Sequence, residues 1–198
     1  MQNHTGEKLR EEVRRVYSEA AKRPADEKTF PLGREFAESI GYPADLLARL
    51  PSISVEAFTG VSNVSIFADI SIGAKVLDLG CGAGLDTLIA AGKAGPDGRV
   101  IGVDFSETML ARARQGLAEA GIANVEFKKA DAEEVPILDG AIDVALVNGI
   151  FNLNPAREAI FSELARVLRP DGTVFAAELI LREPLPAEIR DNPGSWFS

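Results

Sequence analysis

From residue 75 to residue 181, short and almost continuous apolar runs alternate with longer amphipathic stretches. The apolar runs predict strands. Val76, Leu77 and Leu79 form the first, 99–103 the second, and 125–127 opens the third; 142–147 (IDVALV) is the fourth and 173–181 the fifth, with Glu178 inside it. A run apolar on both faces suits the middle of a parallel sheet, where helices cover both sides. Helix signals lie between the runs. LIAA at 88–91 follows the first strand, 107–120 follows the second with Ser106 placed to cap it, and 155–168 follows the fourth with Pro155 in its first turn. GPDG at 95–98 and Pro170-Asp171-Gly172 read as turns. The alternation predicts an α/β protein: an open parallel sheet of order 3-2-1-4-5, flanked by helices on both faces.

Ahead of the first strand the pattern is helical and punctuated by prolines. Leu9, Val13, Val16, Tyr17 and Ala20 recur at helical steps over 7–22, and Pro24 ends that stretch. Further helices are expected over 30–40 and over 44–50, the latter opened by Pro43 and closed by Pro51, while 52–72 is less regular. Three parts follow from this: an N-terminal helical cap or lid over 1–72, a core over 73–181, and a tail over 182–198 rich in proline and charge. The cap is expected to cover the carboxyl edge of the first strand. The fifth strand, with Val174, Phe175, Leu179 and Ile180, would be an open edge. Such an edge predicts either a homodimer formed through it or cover by the tail.

Composition narrows the function classes. Hydrophobic residues make up 46% of the 198, enough for a core, and the formal net charge is -9, with 30 acids against 21 bases. An acidic chain is a poor match for nucleic-acid phosphates. No run is long and apolar enough to cross a bilayer, and the start, MQNHTGEKLREE, has no apolar signal core. A cytoplasmic location is expected. The single cysteine, Cys81, leaves no internal disulfide, and one thiolate does not make a soft-metal site, so no metal is expected. The only histidine, His4, lies in the polar start, which argues against a catalytic histidine.

The candidate chemistry gathers at the carboxyl ends of the strands, where open α/β sheets bind ligands. The first strand runs into a glycine turn at Gly80, Gly82 and Gly84, spaced GxGxG and preceded by Asp78. A dinucleotide fingerprint is GxGxxG and faces a pyrophosphate. An acid beside the turn suits an ammonium group instead, such as the methionine part of S-adenosylmethionine. A glycine turn that only packs a strand on a helix is the bland alternative. Asp104 ends the second strand about 20 residues beyond the turn, the place for an acid on a ribose hydroxyl pair, or for a helix cap. Met109 is read either as packing on an adenine ring or as core; Asp131, after the third strand, is placed for an adenine amino group. Asn148 sits at the end of the fourth strand and Asn152 one turn later, to orient a ligand or to cap the loop and the next helix. Tyr17 is either a lid over the cofactor or a helix residue on the core.

These motifs resemble the class I S-adenosylmethionine-dependent methyltransferases over 75–181, through VLDLGCGAG, GVD at 102–104, DAEEVP and RVLRPDGT. Within that superfamily the chain is most similar to the arsenite methyltransferases, through IGYPADLLARLP, GVDFSETMLARAR, VEFKKADAEEVP and NGIFNLNPAREAIFSELARVLRPDGT. The resemblance implies a Rossmann-like fold, with the usual last two strands missing here. It implies S-adenosylmethionine as cofactor, S-adenosylhomocysteine as product and a small-molecule methyl acceptor. The implied cofactor set is Tyr17, Asp78, Gly80, Cys81, Gly82, Gly84, Asp104, Phe105, Met109, Asp131, Ala132 and Asn148. Catalytic residues stay unassigned, with Tyr17, Asn148, Asn152 and Glu178 as candidates. The chain departs from the family where arsenic would be held. Val61 stands in place of one family cysteine and Gly149 in place of another, and the chain ends at the segment that resembles the approach to a third. A methyltransferase with a small acceptor is thus set against a protein that binds S-adenosylmethionine without methylating arsenic. A nicotinamide dehydrogenase is a weaker third reading, because the third glycine is misplaced.

Overall fold

The computed structural model describes residues 31–152, 154 and 156–180. Tyr17, the expected helix over 7–22, Leu153, Pro155 and the tail over 182–198 lie outside them. Among the described residues four short helices come first: α1 (Gly33–Ser39), α2 (Ala44–Leu47), α3 (Ser52–Val55) and α4 (Val64–Phe67). The core follows as β1 (Lys75–Leu79), α5 (Leu85–Ala94), β2 (Arg99–Asp104), α6 (Glu107–Ala120), β3 (Val125–Lys129), β4 (Ile142–Asn148), α7 (Arg157–Val167) and β5 (Leu168–Ala177). The five strands are parallel, in the order β3-β2-β1-β4-β5 that the alternation of runs implied.

Strand residues alternate between the two faces of the sheet, and each face takes its own helices. Val76, Val100, Val144 and Leu146 pack with Ala90, Ala91 and Ala94 of α5 and Val64 of α4. Leu77, Leu79, Val103, Ala145 and Val147 pack with Ile160, Leu164 and Val167 of α7. Leu79 pairs with Val103 on one side and Val147 on the other, so β1, β2 and β4 end level with one another. That alignment puts Gly80, Asp104 and Asn148 at one edge of the sheet. Ala37, Tyr42, Leu47, Val55 and Phe58 from the first segments pack on Leu85 and Ile89 of α5.

Several element limits differ from the sequence reading. The helix expected over 44–50 stops at Leu47, and its last residues tighten into i→i+3 bonds, Arg49 N to Leu46 O at 3.0 Å and Leu50 N to Leu47 O at 3.3 Å. Pro51 disfavours a helical residue before it, which explains the tightening. The irregular stretch over 52–72 contains α3 and α4, single turns too short to carry a helical period. β5 begins at Leu168 rather than 173 and ends at Ala177, so Glu178 lies just past the strand and not inside it. Pairing passes from Ile142–Leu168 to Val144–Thr173, which leaves 169–172 bulged opposite Asp143. The expected turn is therefore an excursion within the strand, with Asp171 at φ 66.

Candidate functional site

A cavity opens at the carboxyl edge of the sheet. Its walls are Gly80 and Gly82 of the turn, Asp104 to Ser106 after β2, Met109 of α6, Ala130 to Glu133 after β3, Asn148 to Ile150 after β4, Asn154, and Thr59 from the segment between α3 and α4. Eight of the residues singled out from sequence therefore meet here: Gly80, Gly82, Asp104, Phe105, Met109, Asp131, Ala132 and Asn148. Asp78, Cys81 and Gly84 do not line it.

The turn and β2 are locked together by their main chains. Gly80 N and Cys81 N donate to the Val103 carbonyl at 2.8 and 3.0 Å. Asp104 Oδ2 accepts from Gly82 N at 2.9 Å, and Oδ1 accepts from Ser106 N at 2.7 Å. Burial raises the Asp104 carboxyl above its ordinary value, and the Ser106 and Gly82 amides pull it back. Ser106 in turn caps α6 by accepting from Met109 N at 3.3 Å. Gly80 has φ 79, and a side chain there would collide with Ile150. Gly82 has φ 53 and opens onto empty space, so a ligand can reach the main chain at that point.

The other two turn residues face inward. Gly84, at φ 86, caps α5, and a Cβ there would stand 2.9 Å from Phe127 Cζ. Cys81 lies in an apolar cluster with Leu110, Ala113 and Phe127, and burial pushes its thiol up. Asp78 is buried and accepts from Thr87 Oγ1 at 2.5 Å.

A second buried acid, Asp86, carries no motif signal and was missed. Its Oδ1 accepts from the Tyr42 hydroxyl at 2.6 Å and from Ser65 Oγ, and its Oδ2 accepts from Asn148 Nδ2 at 2.8 Å. Burial pushes both acids up, and the charge of Asp86 adds to the rise at Asp78, which reaches about 8. Three side-chain donors favour the charged form of Asp86, against one at Asp78.

The asparagines are tied inside the protein. Asn148 Oδ1 accepts from Val61 N at 2.9 Å and Ser62 N at 3.1 Å, while its Nδ2 donates to the Ser62 carbonyl at 2.7 Å as well as to Asp86. All four hydrogen-bonding positions of the amide are used. Asn152 N donates to Glu178 Oε2 at 3.1 Å and Asn152 Nδ2 donates to the Leu179 carbonyl, so this pair joins the β4 loop to the end of β5. Asn152 and Glu178 do not line the cavity, whereas Asn148 does. Val61 and Gly149, far apart in sequence, are neighbours: a Cβ at Gly149 would lie 2.9 Å from Val61 Cγ1.

Thr59, Ser106, Glu133, Ile150 and Asn154 also line the cavity and were not anticipated. Ser106 and Glu133 are recoverable from sequence as neighbours of the two acids at the strand ends. Thr59 had no signal, because only the fold brings its segment to the sheet edge. Among the described residues no cluster of His, Cys, Asp and Glu could hold a metal ion, and no helix is long and apolar enough to cross a membrane.

Residues 70–196 match the family model described as a methyltransferase domain. An arsenite methyltransferase of Halobacterium salinarum is 36% identical over 159 residues, covering 80% of this chain and 40% of that protein. A demethylmenaquinone methyltransferase of Lactococcus lactis subsp. lactis is 38% identical over 145 residues, covering 73% and 57%. Among solved structures, an arsenic(III) S-adenosylmethionine methyltransferase from Chlamydomonas reinhardtii superposes with TM-score 0.63 at 26% identity, over 83% of this chain and 55% of that one. The chain thus spans about half the length of these relatives.

Proposed function

The chain belongs to the methyltransferase-domain family, and from that premise we propose that it binds S-adenosylmethionine and transfers a methyl group to a small-molecule acceptor. One observation carries the reading: a buried acid, Asp104, ends β2 at the cavity wall and is bonded to the main chain of the glycine turn. Asp104 accepts from the Ser106, Gly82 and Phe105 amides, and a carboxylate's four acceptor positions leave one for a ribose hydroxyl. Asp131 is placed for the adenine amino group, and the bare main chain at Gly82 admits the amino-acid part.

S-Adenosylmethionine supplies a methyl already activated by a sulfonium. The protein's task is then alignment and exclusion of water. Asn148 and Asn152 have their amides engaged within the fold, and Glu178 stands outside the cavity wall. The reading accordingly gives these three no proton to move. The acceptor end falls to Thr59, Gly149, Ile150 and Asn154, a neutral surface.

A second reading is donor binding without arsenic methylation. The arsenite methyltransferase resemblance puts cysteines at the positions of Val61 and Gly149, and these two touch beside the cavity without a thiol between them. Calorimetric titration with S-adenosylmethionine decides the first question. Incubation with arsenite plus glutathione, and separately with a demethylated naphthoquinol, decides the second by mass detection of products. Methylated arsenic would show capture by exogenous thiols, and a methylated quinol would show a carbon acceptor. Donor binding with no product supports the second reading, and absence of donor binding overturns both.

A further inference from the structure

Three side chains from three separate segments converge on one buried carboxylate, Asp86 on the first turn of α5. Tyr42 comes from the connection after α1, Ser65 from α4, and Asn148 from the end of β4. We propose that Asp86 is a positioning residue for the donor site: it holds the Asn148 amide in the one orientation that ties Val61 and Ser62 against the cavity wall.

Donors and acceptors are matched around the Asn148 amide. The amides of Val61 and Ser62 can only donate, and both face Asn148 Oδ1. The Ser62 carbonyl can only accept, Asp86 Oδ2 accepts here, and both face Nδ2. A reversed amide would set donors against donors and acceptors against acceptors at all four contacts. Asp86 is the one member that lies outside the 61–62 segment, so it is the anchor that ties this orientation to α5. The fit is tight on both sides. A Cβ at Gly60 would lie 2.5 Å from Asn148 Nδ2, and one at Gly149 would lie 2.9 Å from Val61 Cγ1. Thr59 at one end of the segment and Asn148 at the other contact both line the cavity, so a shift of the segment moves its wall. The ionisable groups facing Asp86 are Tyr42 and Asp78. The clasp stands on geometry alone, whereas its consequence for ligand affinity rests on the donor reading above.

The test is a pair swap on the 198-residue chain. Wild type, Asn148→Asp, Asp86→Asn and the double variant are compared by amide exchange over 59–63 and by calorimetric titration with S-adenosylhomocysteine. Asn148→Asp sets a carboxylate against Asp86 where a 2.8 Å bond stood. Exchange over 59–63 is expected to quicken at least tenfold, and affinity to fall at least tenfold. The double variant exchanges carboxylate and amide across the same pair, and is expected to regain much of both losses although it carries two substitutions. A double variant no better than Asn148→Asp would overturn the proposal, as would unchanged exchange in Asn148→Asp. Faster exchange with unchanged affinity would overturn the link to the donor site. If wild type itself does not bind S-adenosylhomocysteine, the donor reading falls, and the exchange measurement alone decides the clasp.

Discussion

Asp104 ends β2 and Asp78 lies one residue before the end of β1; both are buried, and they face different neighbours. Asp104 lines the cavity, so on the proposed donor reading its replacement is felt by the ligand. Asp104→Ala is expected to weaken S-adenosylmethionine binding about 10- to 100-fold, the worth of a charged hydrogen-bond pair of about 1.5–3 kcal/mol, as measured by calorimetry. Asp78 faces α5 and shows its character through pH. Burial first, and then the charge of Asp86, pushes it from 3.8 up to about 8. The folded protein holds a proton that the unfolded chain releases, so this contribution is full below the unfolded value and is lost as pH rises toward about 8. Thermal midpoints should therefore fall from pH 5 to pH 9. In Asp78→Asn, whose amide oxygen can still accept from Thr87, the fall should be visibly shallower. Equal slopes in the two proteins would show that Asp78 titrates normally. Asp104 was legible in sequence as a strand-end acid and Asp78 as an acid beside the glycine turn, but that only Asp104 lines the cavity was not, because it depends on which way each side chain points.

The loop that leads from the cavity wall after β3 into β4 is held from outside by α7. Arg166 donates to the carbonyls of Ile137 at 2.8 Å and Val135 at 3.2 Å, and to Asp139 Oδ1 at 2.6 Å. Glu163 pairs with Arg166 at 2.6 Å and accepts from Val135 N at 2.7 Å. One turn of helix thus satisfies the main chain of a segment that has no regular structure of its own. Arg166→Met keeps the apolar stem and removes these bonds. It is expected to cost about 1–3 kcal/mol of stability and to speed amide exchange selectively over 134–140, which mass spectrometry can localise. Uniformly faster exchange along the chain would mean that Arg166 has no special hold on this loop. The pattern of apolar positions predicted α7 to within a residue or two, while this use of its last turn left no mark on the periodicity. The same holds for α3 and α4, whose single turns exist because they pack on α6 and α5, not because of their own sequence.

The described residues form one sheet with its cavity walls drawn from five connections and α6, so a ligand there joins segments distant in the chain. Binding should appear as stabilisation of the whole. S-Adenosylhomocysteine at 100 times its dissociation constant is expected to add about 2.7 kcal/mol and raise the melting midpoint by several degrees, against no shift with NAD. A shift with NAD instead would favour the dehydrogenase reading.

Strand order, the glycine turn and the acids at the ends of β2 and β3 could all be read from the one-dimensional pattern. They depend on local rules: buried parallel strands need apolar runs, tight turns need glycine, and ligands meet α/β sheets at their carboxyl ends. The meeting of Asp86 with Tyr42, Ser65 and Asn148, the contact of Val61 with Gly149, and the inward turn of Cys81 and Gly84 were decided by tertiary structure. Each joins residues far apart in the chain or depends on the direction of a side chain. Such pairings are selected by packing and by the need to satisfy buried polar groups, and neither has a period along the chain.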